Sequence, residues 1–205
     1  LVSYRGFGTV PQGAVRADLT ITFGTVKRGQ LLSRSACGEI VALDIGLGEH
    51  ADLADGAPVL IDRPWVAARV PPIAAEAHKG TRRRLLIVGG DRGMAGAVSL
   101  AARGALHAGI GMVKVCVHEA SVAPLQASVA EATAAPWPDG PPDEALVAWP
   151  HVLLIGPGLG AGAGGRERVT RWLTSWSGPV MLDADALNAF AGDETSGAIR
   201  NEGYI

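Results

Sequence analysis

Leu85-Leu86-Ile87-Val88-Gly89-Gly90-Asp91-Arg92-Gly93-Met94-Ala95-Gly96-Ala97 is the stretch that decides the fold. Its first four residues are all aliphatic and leave no polar position for a wet face. Such runs read as strands of a parallel sheet, buried on both sides. A glycine-rich turn follows, and then Gly96–His107 reads as an alanine-rich helix with Val98, Leu100, Ala101, Ala105 and Leu106 to pack. Ala108-Gly109-Ile110-Gly111 stops that helix, as glycine past a helix end does, and Met112–Val117 is the next strand. Together these make one βαβ unit, whose crossover is right-handed.

The same grammar repeats downstream. Val152–Ile155 reads as a strand, Glu167–Ser175 as a helix and Val180–Leu182 as a strand, with Pro136–Pro142 as a loop between the two units. The new strands run into Gly156-Pro157-Gly158-Leu159-Gly160 and Asp183-Ala184-Asp185-Ala186-Leu187-Asn188. This alternation predicts a layered α/β fold on a mostly parallel sheet. Parallel strands bring the turns after Val88, Ile155 and Leu182 to one carboxyl edge, where open α/β sheets bind ligands.

Nearer the start, Asp18–Phe23 reads as a strand, Lys27-Arg28-Gly29 as a turn, and Glu39–Ile45 as a second strand closed by Gly46. Asp52–Pro72 carries Pro58, Pro64, Pro71 and Pro72, which predicts an irregular connection and a domain boundary more than a helix. Residues 1–17 show no clear element and 189–205 are polar and glycine-containing, so both ends read as cut.

Composition narrows the class. Of 205 residues, 48% are hydrophobic and 19% charged, which fits a folded chain with a sizeable core and not a disordered one. A net charge of -2 gives no bulk attraction to nucleic acid or an anionic membrane. The run Arg82-Arg83-Arg84 suits a solvated loop as well as a phosphate contact. The 2 cysteines, Cys37 and Cys116, form no disulfide framework, and Cys116 falls within a strand as a small buried thiol. No signal segment opens the chain and no apolar run reaches the roughly 18 residues of a bilayer span, so the expected location is cytoplasmic.

Each turn has a chemical reading beside a structural one. In Gly89–Ala97 the backbone approaches an anion closely, which makes Gly90 a phosphate or nucleotide candidate. The stretch lacks the G-x-G-x-x-G spacing and the P-loop ending, and tight strand-to-helix packing would use the same glycines. Small residues at Ala95, Gly96 and Ala97 let a flat ligand lie against the chain. Asp183 and Asp185 stand two apart at a strand end, placed to orient a hydroxyl or a hydrated magnesium ion. Asp185 serves equally as N-cap of a helix Ala186–Phe190. In His78-Lys79-Gly80, Lys79 is either a mobile charge for a ligand phosphate or a solvated loop residue. No metal-ligating set is assigned.

Taken in order, His78-Lys79-Gly80, Gly89–Ala97, Ala108–Gly111, Gly156–Gly160 and Asp183–Asn188 resemble the NAD(P)H-hydrate dehydratase family. The resemblance implies a three-layer ribokinase-like domain over 78–205. Ahead of it, Ala17–Gly24, Lys27, Gly29, Gly38 and Asp44-Ile45-Gly46 resemble the tail of a Rossmann-like NAD(P)H-hydrate epimerase domain, here 1–50, joined by a linker 51–77. The two domains are often fused in bacteria as one bifunctional repair enzyme. The implied chemistry spends ADP or ATP, with Mg2+, to phosphorylate the hydroxyl of a hydrated nicotinamide ring. Phosphate then leaves and the ring double bond returns. The epimerase interconverts the hydrate epimers and implies K+.

Carried over by motif, Gly96, Ala97 and Gly158 line the hydrated-nicotinamide pocket, and Asp183 and Asn188 support the same rim. The implied partner is the small-molecule hydrate NAD(P)HX, with no nucleic acid or membrane, in a homo-oligomer of the intact protein. The family's catalytic aspartate sits in a Gly-Thr/Ser-Gly-Asp motif that the 205 residues do not contain; a Thr-Pro-His-Pro-Gly-Glu-like motif is absent too. The epimerase nucleotide motif and its catalytic acid are also missing, and Leu1–Thr9 departs from the expected Pro-Ser-Gly stretch. These 205 residues alone are therefore expected to be inactive. Two rivals stand beside this reading: a ribokinase-like small-molecule kinase, and a non-catalytic nucleotide-binding fragment.

Overall fold

The computed structural model describes residues 10, 13–47, 61–160 and 163–191. Leu1–Thr9, residues 48–60 and the polar segment after 191 named above lie outside the described residues. The chain divides into two compact units, Leu1–Pro72 and Ile73–Ile205.

In the second unit the decisive stretch is strand β3, Arg84–Val88, and it lies mid-sheet. Helix α4, Ala95–His107, leads to β4, Met112–Val117, beside it; α5, Glu119–Ser128, leads to β5, Thr133–Pro136, at the edge. The chain then crosses back through α6, Glu144–Ala148, to β6, Val152–Ile155, on the other side of β3. Helix α7, Ala163–Ser175, leads to β7, Val180–Leu182, and α8, Asp185–Asn188, follows. The sheet order is β5-β4-β3-β6-β7, with every pair parallel.

Burial on both faces explains the unbroken apolar runs. Ile87, Val113, Val115, Val117 and Leu154 pack with Val98 and Ala102 of α4 and Leu125 of α5. Leu86, Val88, Cys116, Leu153 and Ile155 pack with Val169 and Trp172 of α7 on the opposite face. That is the expected three-layer α/β arrangement.

Several local expectations change. Pro136 does not open a loop but ends β5, an edge strand, where a missing N–H leaves no ladder bond unmade. Helices α5 and α6 had no clear sequence signal: α5 contains Pro124, and both are short. α6 forms because Asp143 caps it, its Oδ1 accepting from Leu146 N at 2.7 Å. Asp185 is the first residue of α8 and not its N-cap; that position is Ala184, at φ 43 and with no side-chain cap bond.

The first unit is a β-α-β crossover. β1, Leu19–Phe23, pairs in parallel with β2, Glu39–Leu43, through α1, Arg28–Leu32, and α2, Arg34–Cys37. The expected turn at 27–29 is instead the start of α1, where Lys27 N donates to Gln30 Oε1 at 2.8 Å and fixes the helix entry. Thr20 Oγ1 donates to the Cys37 carbonyl at 2.7 Å, and Ala36 and Cys37 are buried. Leu19, Ile21 and Phe23 of β1 and Val41 and Leu43 of β2 share a face in register, and all five are exposed. Within the proline-rich connection, α3, Arg63–Ala67, is helical against expectation. Pro64 sits in its first turn, where its missing N–H costs nothing, and Asp62 Oδ1 accepts from Trp65 N at 2.8 Å. No helix among the described residues is long and apolar enough to cross a membrane.

Candidate functional site

From β3 the chain moves outward to β4 and β5, then returns to place β6 on the other flank of β3. Connections leaving two adjacent parallel strands in opposite directions open a crevice above their carboxyl ends. The turns after β3 and β6 border that crevice, and the turn after β7 stands beside them.

Backbone bonds zip the turns together. Gly90 N donates to the Pro157 carbonyl at 2.9 Å and Asp91 N to the Gly158 carbonyl at 2.6 Å, while Gly156 N donates to Val88 O at 3.0 Å. Glycine is obligatory where chains cross. A Cβ on Gly89 would fall 2.2 Å from the Pro157 oxygen, and one on Gly156, at φ +129, would fall 1.7 Å from the Asp183 oxygen. Gly158, at φ +60, sits against Met94 and Ala97. Gly96 differs: a Cβ there would meet nothing within 4 Å. The start of α4 is therefore open at Gly96, with small Ala97 and exposed, apolar Met94 beside it.

The structure brings Gly96, Ala97, Gly158, Asp183 and Asn188 to this one edge, and Asp183 and Asn188 are exposed there. Two of the expected residues, Lys79 and Gly90, are placed differently. Lys79 belongs to the opposite, amino edge: its carbonyl lies 2.5 Å from where a Cβ of Gly111, the residue before β4, would stand. The five residues of β3, about 16 Å of strand, separate it from the turns. Gly90 is buried, and its N–H is committed to Pro157, so it shapes the turn without offering a donor to an anion.

Residues the sequence did not single out complete the edge. Arg168 of α7 stacks on Trp137, 3.8 Å from the ring centroid, and His118 meets the same ring edge-on at 5.8 Å. His118 follows β4, so the carboxyl-edge rule reaches it from the strand read at Met112–Val117, whereas Trp137 follows β5 and is found only once β5 is recognised. Burial pulls the Arg168 pKa below the usual guanidinium range, while the Asp91 charge acts to hold it up. Ser121 Oγ donates to the Asp91 carbonyl at 2.8 Å and ties α5 to the first turn. Asp185 Oδ2 accepts from Gly160 N at 2.9 Å, and Asn188 Nδ2 donates to Asp185 Oδ1 at 3.4 Å.

Below the edge, Cys116 borders a cavity of about 400 Å³ with Lys114, Asp143 and Leu146. Burial pushes its thiol up to about 11, so it is protonated and unreactive at neutral pH. A raised folded-state pKa stabilises the fold fully below about 9, the unfolded value, and loses that contribution as pH climbs to 11. The urea midpoint is therefore expected to fall between pH 9 and 11, and less steeply in a Cys116→Ala variant. Equal slopes in the two proteins would contradict this burial effect.

Residues 85–205 match the family described as NAD(P)H-hydrate dehydratase. The chain belongs to this family. The bifunctional NAD(P)H-hydrate repair enzyme Nnr of Escherichia coli K12 is 32% identical over 191 residues, covering 90% of this chain and 36% of the relative. The chain thus spans about a third of the length of the curated relatives it matches first. Among solved structures, an ADP/ATP-dependent NAD(P)H-hydrate dehydratase from Bacillus subtilis, co-crystallised with ATP/Mg2+, aligns with TM-score 0.52 at 32% identity, over 60% of this chain and 45% of that one. A ribokinase-like superfamily protein from Enterococcus faecalis V583 aligns with TM-score 0.52 at 23% identity, over 59% and 43% respectively. The fold of the second unit is ribokinase-like.

Proposed function

We propose that the second unit is the substrate-holding half of an ADP- or ATP-dependent NAD(P)H-hydrate dehydratase, and that its crevice takes the hydrated nicotinamide of NAD(P)HX. One observation carries this: beside a switch-point crevice the backbone at Gly96 is open, since a Cβ there would meet nothing within 4 Å, and small Ala97 and apolar Met94 flank it. A flat ring with little charge fits that surface, whereas a triphosphate needs donors. Family membership and the similarity to the Bacillus subtilis dehydratase support the same choice.

We assign no part of the phosphoryl-transfer half to the described residues. Among them, no three or more His, Cys, Asp or Glu side chains are grouped to hold a metal ion. Gly90 has no free N–H, and Lys79 stands at the far edge. No phosphoryl step is therefore assigned to these residues; their task is to hold and orient the ring and its hydroxyl. With no Gly-Thr/Ser-Gly-Asp in the 205 residues, we expect binding without turnover.

The first unit we read as the tail of the epimerase-type domain, followed by the linker. Its five-residue apolar face on a two-stranded parallel sheet supports this, because parallel sheets are covered on both faces. K+ and epimerisation belong to that domain's chemistry. Homo-oligomerisation and a cytoplasmic location remain part of the proposal for the intact protein.

NADPH titration of the 205-residue chain, followed by nicotinamide fluorescence, is the direct test. Saturable binding is expected, and turnover of hydrated NADH with ADP or ATP is not. A Gly96→Ala variant should melt no lower than wild type, since Ala gains about 1 kcal/mol over Gly in a helix. It should nevertheless bind NADPH at least ~10-fold more weakly, because the added methyl takes up the ring's space. ADP binding without NADPH binding would favour the small-molecule kinase reading. In the intact protein a kinase would accumulate a stable phosphoester, whereas a dehydratase releases phosphate and restores reduced-nicotinamide absorbance.

A further inference from the structure

In the loop after β6 one side chain, Leu159, is anchored in the core. Gly156, Gly158 and Gly160 all have positive φ and no side chain to pack. On either side of Leu159 the backbone is therefore placed by contacts from other parts of the chain. Its first half is held by the backbone bonds from Gly90 and Asp91 to Pro157 and Gly158. Its distal end, Gly160, is bonded to one carboxylate and packed against another.

One is Asp185, whose Oδ2 accepts the Gly160 N–H at 2.9 Å. The other is Asp91: a Cβ built on Gly160, at φ +88, would fall 2.8 Å from Asp91 Oδ2, so the Asp91 side chain occupies the side-chain position that Gly160 leaves empty. Each carboxylate is anchored in turn. Asn188 Nδ2 reaches Asp185 Oδ1 at 3.4 Å, and Asp91 Oδ1 accepts from Arg92 N at 2.7 Å. Arg168, which feels the Asp91 charge, stacks on Trp137. A line of side chains therefore runs along the carboxyl edge from the loop after β5 to α8, and Gly160 lies between the Asp185 bond and the Asp91 side chain.

We propose that Asp185 is a positioning residue of this site, acting with Asp91 to clamp Gly160 and keep the Gly156–Gly160 loop preformed against Met94 and Ala97. The inference rests on the crevice being the nicotinamide site, as proposed above. A preformed loop spares the ligand the cost of ordering it, so releasing the clamp lowers affinity more than it lowers stability. The bond depends on an acceptor oxygen and not on charge alone. Asn, which keeps an acceptor, should therefore hold the loop where Ala releases it.

The test compares Asp185→Ala and Asp185→Asn in the full 205-residue chain. NADPH is the ligand probe, and hydrogen exchange at the Gly160 amide is a ligand-free readout. In the Ala variant NADPH affinity is expected to fall about tenfold and the Gly160 amide to exchange faster. In the Asn variant both should stay within about threefold of wild type. Wild-type affinity in Asp185→Ala would overturn the proposal, as would equal losses in the two variants. If wild type itself binds no NADPH, the ring-site reading fails. Amide exchange still judges the clamp: unchanged Gly160 exchange in Asp185→Ala overturns it.

Discussion

Gly156→Ala is expected to cost the second unit at least ~3 kcal/mol and to abolish NADPH binding. The new methyl would stand 1.7 Å from the backbone oxygen of Asp183, which no side-chain rotation relieves, at a φ of +129 that alanine avoids. The obstructing strand end cannot retreat cheaply, because Asp183 N is bonded to Ile155 O at 3.0 Å in the sheet itself. Thermal unfolding followed by circular dichroism measures the loss, with Gly96→Ala as the matched control in open space. A Gly156→Ala protein within about 1 kcal/mol of wild type would mean that the β7 turn yields to the methyl.

Trp172→Ala is the second large effect. Trp172 is buried to 1% exposure among Leu86, Leu153, Ile155, Val169 and Leu182 and is the largest fully buried side chain of the described residues. Its removal should cost ~3–5 kcal/mol, a large part of the ~5–15 kcal/mol by which a domain is usually stable. Because α7 carries Arg168 one turn earlier, loss of the Trp172 anchor should also loosen the stack on Trp137. Urea unfolding with an unchanged m-value is the measurement, and Trp172→Phe should lose clearly less. A midpoint for Trp172→Ala equal to wild type would show that α7 is not anchored through this residue.

The strands were legible because burial on both faces forces unbroken apolar runs. Met112–Val117, Val152–Ile155 and Val180–Leu182 fall where sequence places them. β5 was hidden because Thr133-Ala134-Ala135-Pro136 sits at an edge, where neither high apolarity nor a full set of N–H donors is demanded. α5 and α6 were hidden by Pro124 and by shortness, which blur a 3.6-residue period. The missed site residues follow from those missed elements, since Trp137 is placed by β5 and Arg168 acquires meaning only through Trp137 and Asp91.

Local sequence alone determined the parallel strands, the glycine-rich turns at their ends and the small-residue surface at Gly96 and Ala97. Those features depend on burial and backbone freedom, which are written residue by residue. Strand order was a tertiary decision: by setting β6 beside β3 it made two turns into one crevice and turned the Gly90 N–H inward to Pro157. The role of Asp185 was decided there too. Two residues 25 positions apart, Gly160 and Asp185, meet only because β6 and β7 pair in parallel and deliver both turns to the same side.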